Sequence, residues 1–324
     1  AHYNGTAWQY FAATESADPL GPLENVYYLI VAGGAAGGNF VGGGGGAGGL
    51  LTNYNGTAIT LQPSTDYTIT VGEGGASHTT SQWGAVPPSA DGNDSEFSTF
   101  TAIGGGGGGN YADSTVAMAR DGGSGGGGGM TTTSGGAFVA GGTGILGQGR
   151  DGGDGEQIVA NARYSAGGGG GSTGAGDDAG NPGGGDGGNG TSINILNSTN
   201  ASSASVGEVI SSNVWYSGGG GGANEAGWSS GSAGTGGNGG GGNGGNTSAS
   251  QSGTPLTGGG GGGKTWYQNS DNNSGGSGVV ILRYPNTHTL SVDVGLTQPS
   301  GSPFTEGTEN VSVFTAGTGN ISFI

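Results

Sequence analysis

Residues 26–51 read VYYLIVAGGAAGGNFVGGGGGAGGLL, a short apolar run that passes directly into a glycine tract. The apolar run at 26–32 is too short for a helix and ends in glycine, so it predicts a β-strand. The last glycine tract leads into a second apolar run, VVIL. The sequence therefore predicts a glycine framework between two strands. Glycine tracts recur at 104–109, 122–129, 147–155, 167–171, 183–190, 218–222, 234–245, 258–263 and 275–278.

The composition limits the class of protein. The 324 residues include 88 Gly and 10 Pro, a content at which disorder is common. Only 8% of the residues are charged, however, whereas disordered chains are usually highly charged. The 11 Tyr, 8 Phe and 5 Trp are also too many for an inert linker. We therefore expect a folded protein.

The charge, the short apolar runs and the absence of cysteine exclude nucleic-acid binding, membrane insertion and a disulfide framework in turn. Five basic against 22 acidic residues give a net charge of −17, and nucleic-acid binding needs cations that neutralise phosphates. No nucleic-acid partner is expected. No apolar run approaches the roughly 20 residues that span a bilayer, so membrane insertion is not expected either. The chain has no Cys, which excludes a disulfide framework.

Other segments also predict strands, and helix is nearly absent. Glycine costs about 1 kcal/mol relative to Ala inside a helix, and no glycine-free window shows a 3.6-residue period. The predicted class is all-β/irregular, a polyglycine-II helix sandwich flanked by short strands. Three parts are predicted: a strand and connector at 1–25, the glycine-rich domain at 26–285 and a β-tail at 286–324. Strands are predicted at 66–71, 96–103, 279–284, 290–294, 310–314 and 321–324.

Polyglycine-II helices explain how glycine can form a framework. Three-residue-per-turn helices make no internal hydrogen bonds, and their N–H and C=O groups point outward. Without Cβ atoms, neighbouring backbones can approach and satisfy one another, as burial requires. Each hydrogen bond contributes only about 0.5–1.5 kcal/mol net. A single tract would therefore be disordered, whereas a lattice of about ten tracts would hold.

The segments between tracts are predicted to be loops at the lattice ends, the longest of them at 191–217. Aromatic side chains among Ser, Asn and Gly resemble the composition of antibody recognition loops. The alternative is that the aromatic residues merely cap the lattice. These residues are Trp83, Tyr111, Trp215, Tyr216, Trp228, Trp266 and Tyr267.

A resemblance sharpens this interpretation. VYYLIVAGGAAGGN, GGGGGAGGLL, DYTITVGEGG, FTAIGGGGGG and GGSGVVILRY follow one another as in a glycine-rich module of phage tail-fibre proteins. Residues 26–284 resemble the adhesins at the tips of phage long tail fibres. Residues 1–25 and 286–324 lie outside the resemblance, and no fibre-attachment domain is identified.

The resemblance implies a polyglycine-II sandwich with receptor-contacting loops at one end. It also implies a location on the virion surface or otherwise outside the cell. By position, the implied receptor-binding candidates are Trp83, Tyr111, Trp228, Trp266 and Tyr267. The tail, NVSVFTAGTGNISFI, is expected to pack on strand 26–32 or to pair with a neighbouring copy.

Other motifs carry little chemistry. The segment 258–265, GGGGGGKT, satisfies the Walker A pattern but lacks the preceding strand and following helix that a phosphate loop needs. His2, His78 and His288 show no metal-ligand spacing and are interpreted as surface residues. Aspartates among the glycines are interpreted as solvated turn carboxylates, with calcium sites as the alternative. These aspartates are Asp151, Asp154, Asp177, Asp178 and Asp186.

The leading hypothesis is a non-enzymatic adhesin of a virus particle, with no cofactor. Its expected partners are a host-cell surface protein or glycan and other fibre proteins or copies of itself. The alternative is a structural fibre or surface-coat subunit that assembles through its lattice and terminal strands. An ice-binding bundle would need a regular Thr/Ala face, which the irregular loops do not offer.

Overall fold

The computed structural model describes residues 2–3, 8–9, 21–77, 89–111, 118–131, 139–156, 164–180, 183–226, 231–266 and 272–324. The named sheets are all antiparallel and only one short helix occurs in these ranges, so the all-β class is confirmed. The elements are β1 His2–Tyr3, β2 Trp8–Gln9, β3 Leu23–Val31, β4 Leu50–Thr52, β5 Ile59–Leu61, β6 Tyr67–Val71, β7 Ser95–Phe97, β8 Phe100–Ala102, β9 Thr191–Ser192, α1 Ser198–Ala204, β10 Glu208–Ile210, β11 Asn213–Tyr216, β12 Val279–Pro285, β13 Leu290–Val292, β14 Leu296–Thr297, β15 Phe304–Glu306, β16 Glu309–Phe314 and β17 Ala316–Phe323.

Two six-stranded sheets hold the two ends of the glycine-rich region together. The first has the order β15-β16-β12-β3-β4 with β5 also on β3, and the second has the order β13-β17-β6-β7-β8 with β14 on β17. Val31 of β3 lies opposite Val279 of β12. The strands that open and close the glycine-rich region are therefore neighbours.

The first sheet separates two apolar cores. Side chains of a strand alternate between faces, so Tyr28 and Ile30 face the second sheet and pack with Ile69. Leu29 and Val31 point to the opposite face. There they meet the segment 191–216, which forms β9, α1, β10 and β11.

Two sequence predictions were wrong in this region. The segment 191–217 is not a loop: Asn197 caps α1 by accepting the N–H of Asn200 at 2.9 Å, and the helix buries Ala201. The single strand predicted at 96–103 is a hairpin, β7–β8, whose two-residue turn places Ser98 at φ 55°. Neither the turn between β7 and β8 nor α1 contains Gly or Pro, the residues that most clearly mark turns in a sequence.

The tail completes both sheets of its own chain. β16 pairs with β12 along its whole length, from Val280–Phe314 to Pro285–Glu309. β17 pairs with β6, with Val71 opposite Gly317. The tail therefore packs against strand 26–32, one of the two expected arrangements, because Phe314, Ile321 and Phe323 share a core with Tyr28 and Ile30. Its strands pair with β12 and β6. The domain boundaries at 26 and 286 stay a prediction.

The glycine tracts make backbone hydrogen bonds to one another with a three-residue period. The N–H groups of tract 42–49 donate in turn to three neighbouring tracts, and every third N–H returns to the same one. Its carbonyl groups accept from three further tracts in the same rotation. The donor–acceptor pairs from its N–H groups are Gly43–Gly109 and Gly46–Gly106, Gly44–Gly167 and Ala47–Gly170, and Gly42–Lys264 and Gly45–Gly261. The pairs to its carbonyls are Gly38–Gly43 and Ala35–Gly46, Gly127–Gly44 and Ser124–Ala47, and Ala223–Gly42 and Gly220–Gly45.

Tract 42–49 is thus a buried centre surrounded by six others. A Cβ at Gly44 would overlap the carbonyl oxygen of Gly220. The backbones approach too closely for a side chain at this position, which is why the framework uses glycine. Ala47, also fully buried, occupies a position where a methyl group fits.

Candidate functional site

The hydrogen-bond register gives the lattice two ends. One end lies beside the two six-stranded sheets, and we call it the sandwich end. There the N–H of Gly49 donates to the carbonyl of Ile103, next to β8. At the other end, the N–H of Lys264 donates to the carbonyl of Gly38, and that of Met130 to the carbonyl of Val41. We call this second end, which includes Tyr111, Thr131, Glu156, Glu225 and Trp266, the loop end.

Five of the segments that the sequence predicts as loops begin at the loop end. The segments 112–117, 132–138, 157–163, 227–230 and 267–271 each follow a residue of the loop end directly or by one position. Hydrogen bonds connect these departure points. The donor–acceptor pairs are Tyr111 N–Asn39 O (3.1 Å), Thr131 N–Glu156 O (3.4 Å), Glu156 N–Ser165 O (3.2 Å), Glu225 N–Tyr164 O (2.9 Å) and Trp266 N–Glu225 Oε2 (3.5 Å).

Three aromatic side chains form a cluster at the loop end. The ring of Trp266 lies 5.4 Å from that of Tyr111, tilted by 51°, and 6.0 Å from that of Tyr164, edge to face. Offset and edge-to-face arrangements are the favourable ones for aromatic pairs. All three rings are half-buried, so each keeps surface for a ligand. They pack on the buried Val41, Met130, Ala166 and Ala223.

Two of the five sequence candidates meet in this cluster. Tyr111 and Trp266 lie in contact across the lattice, although 155 positions separate them in the chain (266 − 111). Trp83, Trp228 and Tyr267 lie outside the described residues. A receptor-binding role for any of the five stays a prediction.

Sequence reasoning missed Tyr164. Its signal was its position, because it stands just before a tract as Tyr111 stands just after one. Trp215 and Tyr216, in contrast, belong to β11 at the sandwich end. Tyr216 is fully buried, and burial raises the pKa of its hydroxyl far above the ordinary value.

A strained turn packs against the aromatic cluster on the lattice side. Phe40 and Val41 have φ of 56° and 59°. This left-handed region is rare for a β-branched residue, and such a residue persists only where its surroundings fix it. Asn110, which is buried, accepts the N–H of Asn39 at 2.8 Å and a hydrogen bond from Ser89 at 3.2 Å. The lattice therefore holds the turn rigidly under the rings.

The aspartates among the glycines accept backbone hydrogen bonds. Asp151, Asp154, Asp178 and Asp186 each accept a main-chain N–H from a neighbouring tract, at 2.6–2.9 Å. The carboxylates are therefore not only solvated turn residues, as their sequence context indicated. Within the described ranges, no group of three His, Cys, Asp or Glu residues is arranged to hold a metal ion.

Two remaining sequence motifs can be placed. Lys264 of the Walker-like segment is buried in the loop end, and the residues directly before the segment, 253–257, form no strand. His288 was interpreted as a surface residue, but it is 7% exposed, and its Nδ1 lies 3.0 Å from the hydroxyl of Thr287. His2 and His78 have no described side chain.

Comparisons with known proteins bear on the glycine-rich part. Searches among curated proteins and among solved structures found no match. No helix in the described ranges is long and apolar enough to cross a membrane. The model of the glycine-rich domain family matches residues 13–285, which is most of the chain. The chain therefore belongs to the glycine-rich domain family.

Proposed function

We propose that this protein is a non-enzymatic adhesin of the phage tail-fibre type, which binds a cell-surface protein or glycan through its loop end. It acts on the virion surface or otherwise outside the cell. The observation that carries the proposal is the convergence of five loop junctions and three aromatic rings at one end of the lattice. Aromatic side chains beside segments rich in Ser, Asn and Gly have the composition of recognition surfaces.

The scaffold in this proposal is a polyglycine-II lattice. Its support is the three-residue period of the hydrogen bonds, since a three-residue turn returns every third N–H to the same neighbour. Almost all the tract glycines also have φ outside the positive range. Such a scaffold can fix the positions of loops without requiring specific side chains, because the backbones alone make the contacts.

The structural-subunit alternative assembles through its lattice and its terminal strands. Those strands are used within the chain, since β16 pairs with β12 and β17 with β6. This pairing favours the adhesin over a subunit that assembles by exchanging its tail.

The test compares tryptophans at the two ends. The labelled full chain is applied to a panel of intact bacterial strains and to an array of bacterial surface glycans. For any strain or glycan that the chain binds, Trp266→Ala is expected to raise the dissociation constant about thirtyfold, the effect of losing a hot spot of about 2 kcal/mol. Tyr111→Ala is expected to weaken binding in the same direction.

The matched control is Trp215→Ala, which removes an indole from β11 at the sandwich end. It is expected to bind like the parent chain once both variants are shown by circular dichroism to be folded. Equal losses at Trp266 and Trp215 would contradict a binding site at the loop end. Binding that is unchanged by both substitutions would do the same.

A further inference from the structure

The lateral edge of the lattice, which we call its rim, carries aspartates in pairs three residues apart. Both members of a pair accept N–H groups of the same neighbouring tract. Asp151 accepts the N–H of Gly144 at 2.8 Å, and Asp154 accepts that of Gly141 at 2.9 Å. Because one turn takes three residues, positions i and i+3 lie on one side of a tract. The D-x-x-D spacing therefore matches two N–H groups of the adjacent, antiparallel tract.

The same arrangement occurs at two other places on the rim. Asp91 accepts the N–H of Gly107 at 2.9 Å and Asp94 that of Gly104 at 2.7 Å, again with an antiparallel tract. In a parallel pair, the order reverses as expected. Asp186 accepts from Thr235 at 2.6 Å and Asn189 from Asn238 at 3.0 Å. Two D-x-x-D pairs and one D-x-x-N pair share this spacing, which indicates a common role rather than chance.

These side chains stand where the lattice ends. In tract 104–109, two of the three sets of N–H groups donate to backbone carbonyls of inner tracts, as from Gly105 to Gly33 and from Gly106 to Ser124. The third set, Gly104 and Gly107, donates to the carboxylates. A carboxylate has only acceptors, so it replaces the carbonyls of a tract that is absent.

A row of unpaired N–H groups on a lattice rim has the same consequence as an exposed edge strand. Such an edge is a template for another chain, and proteins block edges with charged side chains. The β-sheet edge here is blocked in the same way. Gln148 accepts the N–H of Ile103 at 2.8 Å and donates to the carbonyl of Thr101 at 3.3 Å, alongside the edge strand β8.

We propose that the rim of the lattice is a latent self-association surface, which the D-x-x-D carboxylates keep closed. The partner that this surface fits is the rim of a second copy, whose tracts offer carbonyls at the same three-residue spacing. The carboxylates act by occupying the N–H groups, so that a second copy finds no free donors along the rim. This role is independent of any receptor.

The experiment uses the full chain and three double variants. Asp151→Ala with Asp154→Ala removes both acceptors, whereas Asp151→Asn with Asp154→Asn removes the charge and keeps an acceptor oxygen. The matched control is Asp66→Ala with Asp177→Ala. Both of these residues are exposed, and their carboxylates accept no hydrogen bond from the described part of the chain. Amide hydrogen exchange of residues 141–144 and sedimentation velocity over a range of concentrations are measured.

In the alanine pair, the amides of Gly141 and Gly144 are expected to exchange about tenfold faster, the effect of losing a hydrogen bond near the upper end of its usual range. The alanine pair is also expected to sediment faster than the parent with rising concentration, while the asparagine and control pairs resemble the parent. Unchanged exchange, or faster exchange without association, would overturn the proposal. Equal association of the alanine and control pairs would also overturn it, because charge alone would then explain the effect. If the alanine pair fails to fold, Asp151→Ala alone decides by the same two measurements.

Discussion

At the scale of single residues, the lattice depends on the absence of side chains at its centre. Gly261 lies in a tract that contacts others on all sides, and a Cβ there would overlap the carbonyl oxygen of Asn273. This neighbour is backbone and cannot rotate away. Gly180 provides the contrast, since it is exposed and a Cβ there meets open space.

Gly261→Val is therefore expected to destabilise the fold by about 1–3 kcal/mol, the usual cost of overpacking. This corresponds to a fall in melting temperature of roughly 2–12 °C for a domain of this size. Gly180→Val is expected to stay within about 0.5 kcal/mol of the parent, as exposed substitutions do. Thermal unfolding followed by circular dichroism measures both. Equal melting of the two variants would show that the lattice tolerates side chains at its centre.

The glycines were predictable from the sequence, and the roles of the aspartates were not. A tract of glycine predicts close packing of backbones, because only such packing explains so many residues without Cβ atoms. The use of Asp154 depends on which residue of another tract lies beside it. That register is fixed by contacts between distant parts of the chain, so Asp154 looks like any turn carboxylate in the sequence.

At the scale of elements, the sequence predicted strands with strong apolar runs and missed elements held by distant partners. β3 and β12 were predicted because each is a continuous apolar run beside glycine. The helix α1, STNASSA, has weak propensity. It is held by its cap and by Glu306 of β15, whose Oε1 accepts the N–H of Asn197 at 3.1 Å. This contact spans 109 residues, and no local pattern encodes it.

Glu306 also makes the attachment of α1 dependent on pH. Its Oε2 lies 2.7 Å from Nη1 of Arg283. Burial alone would raise the pKa of the Glu306 carboxyl, but hydrogen bonds from the Asn197 backbone, Arg283 and Asn200 outweigh burial and lower it. A pKa that is lower in the folded than in the unfolded state adds stability above the unfolded value. That stability is lost as the pH falls through the folded value.

Glu306→Gln is therefore expected to lower the free energy of unfolding by about 1.5–3 kcal/mol at pH 7, as for the loss of a hydrogen bond to a charged group. The difference from the parent should shrink as the pH falls below about 4, the ordinary range of a Glu carboxyl. Urea unfolding at several pH values measures it. Glu24→Gln, at an exposed position of β3, serves as the control. A difference that is the same at pH 3 and pH 7 would contradict the role of the charge.

At the scale of the whole molecule, the sequence predicted a framework with loops at its ends but not which loops share an end. Tracts of similar composition can pair in many registers, and only the observed register brings Tyr111 beside Trp266. The same register places the sheets at the other end. The two ends of the lattice therefore differ, with the two sheets at one end and the aromatic cluster of Tyr111, Tyr164 and Trp266 at the other.

The lattice also has a centre and a rim, and this difference predicts an order of opening. The N–H groups of tract 42–49 donate to buried carbonyls of three neighbours, whereas those of 141–144 donate largely to carboxylates at the rim. Local opening requires fewer broken contacts at the rim, so amides there exchange without global unfolding. In hydrogen exchange measured by mass spectrometry and corrected for intrinsic rates, 42–48 should exchange at least about tenfold more slowly than 141–144. Equal protection of the two tracts would mean that the lattice opens as one cooperative unit, and that the rim carboxylates secure their N–H groups as firmly as the backbone does at the centre.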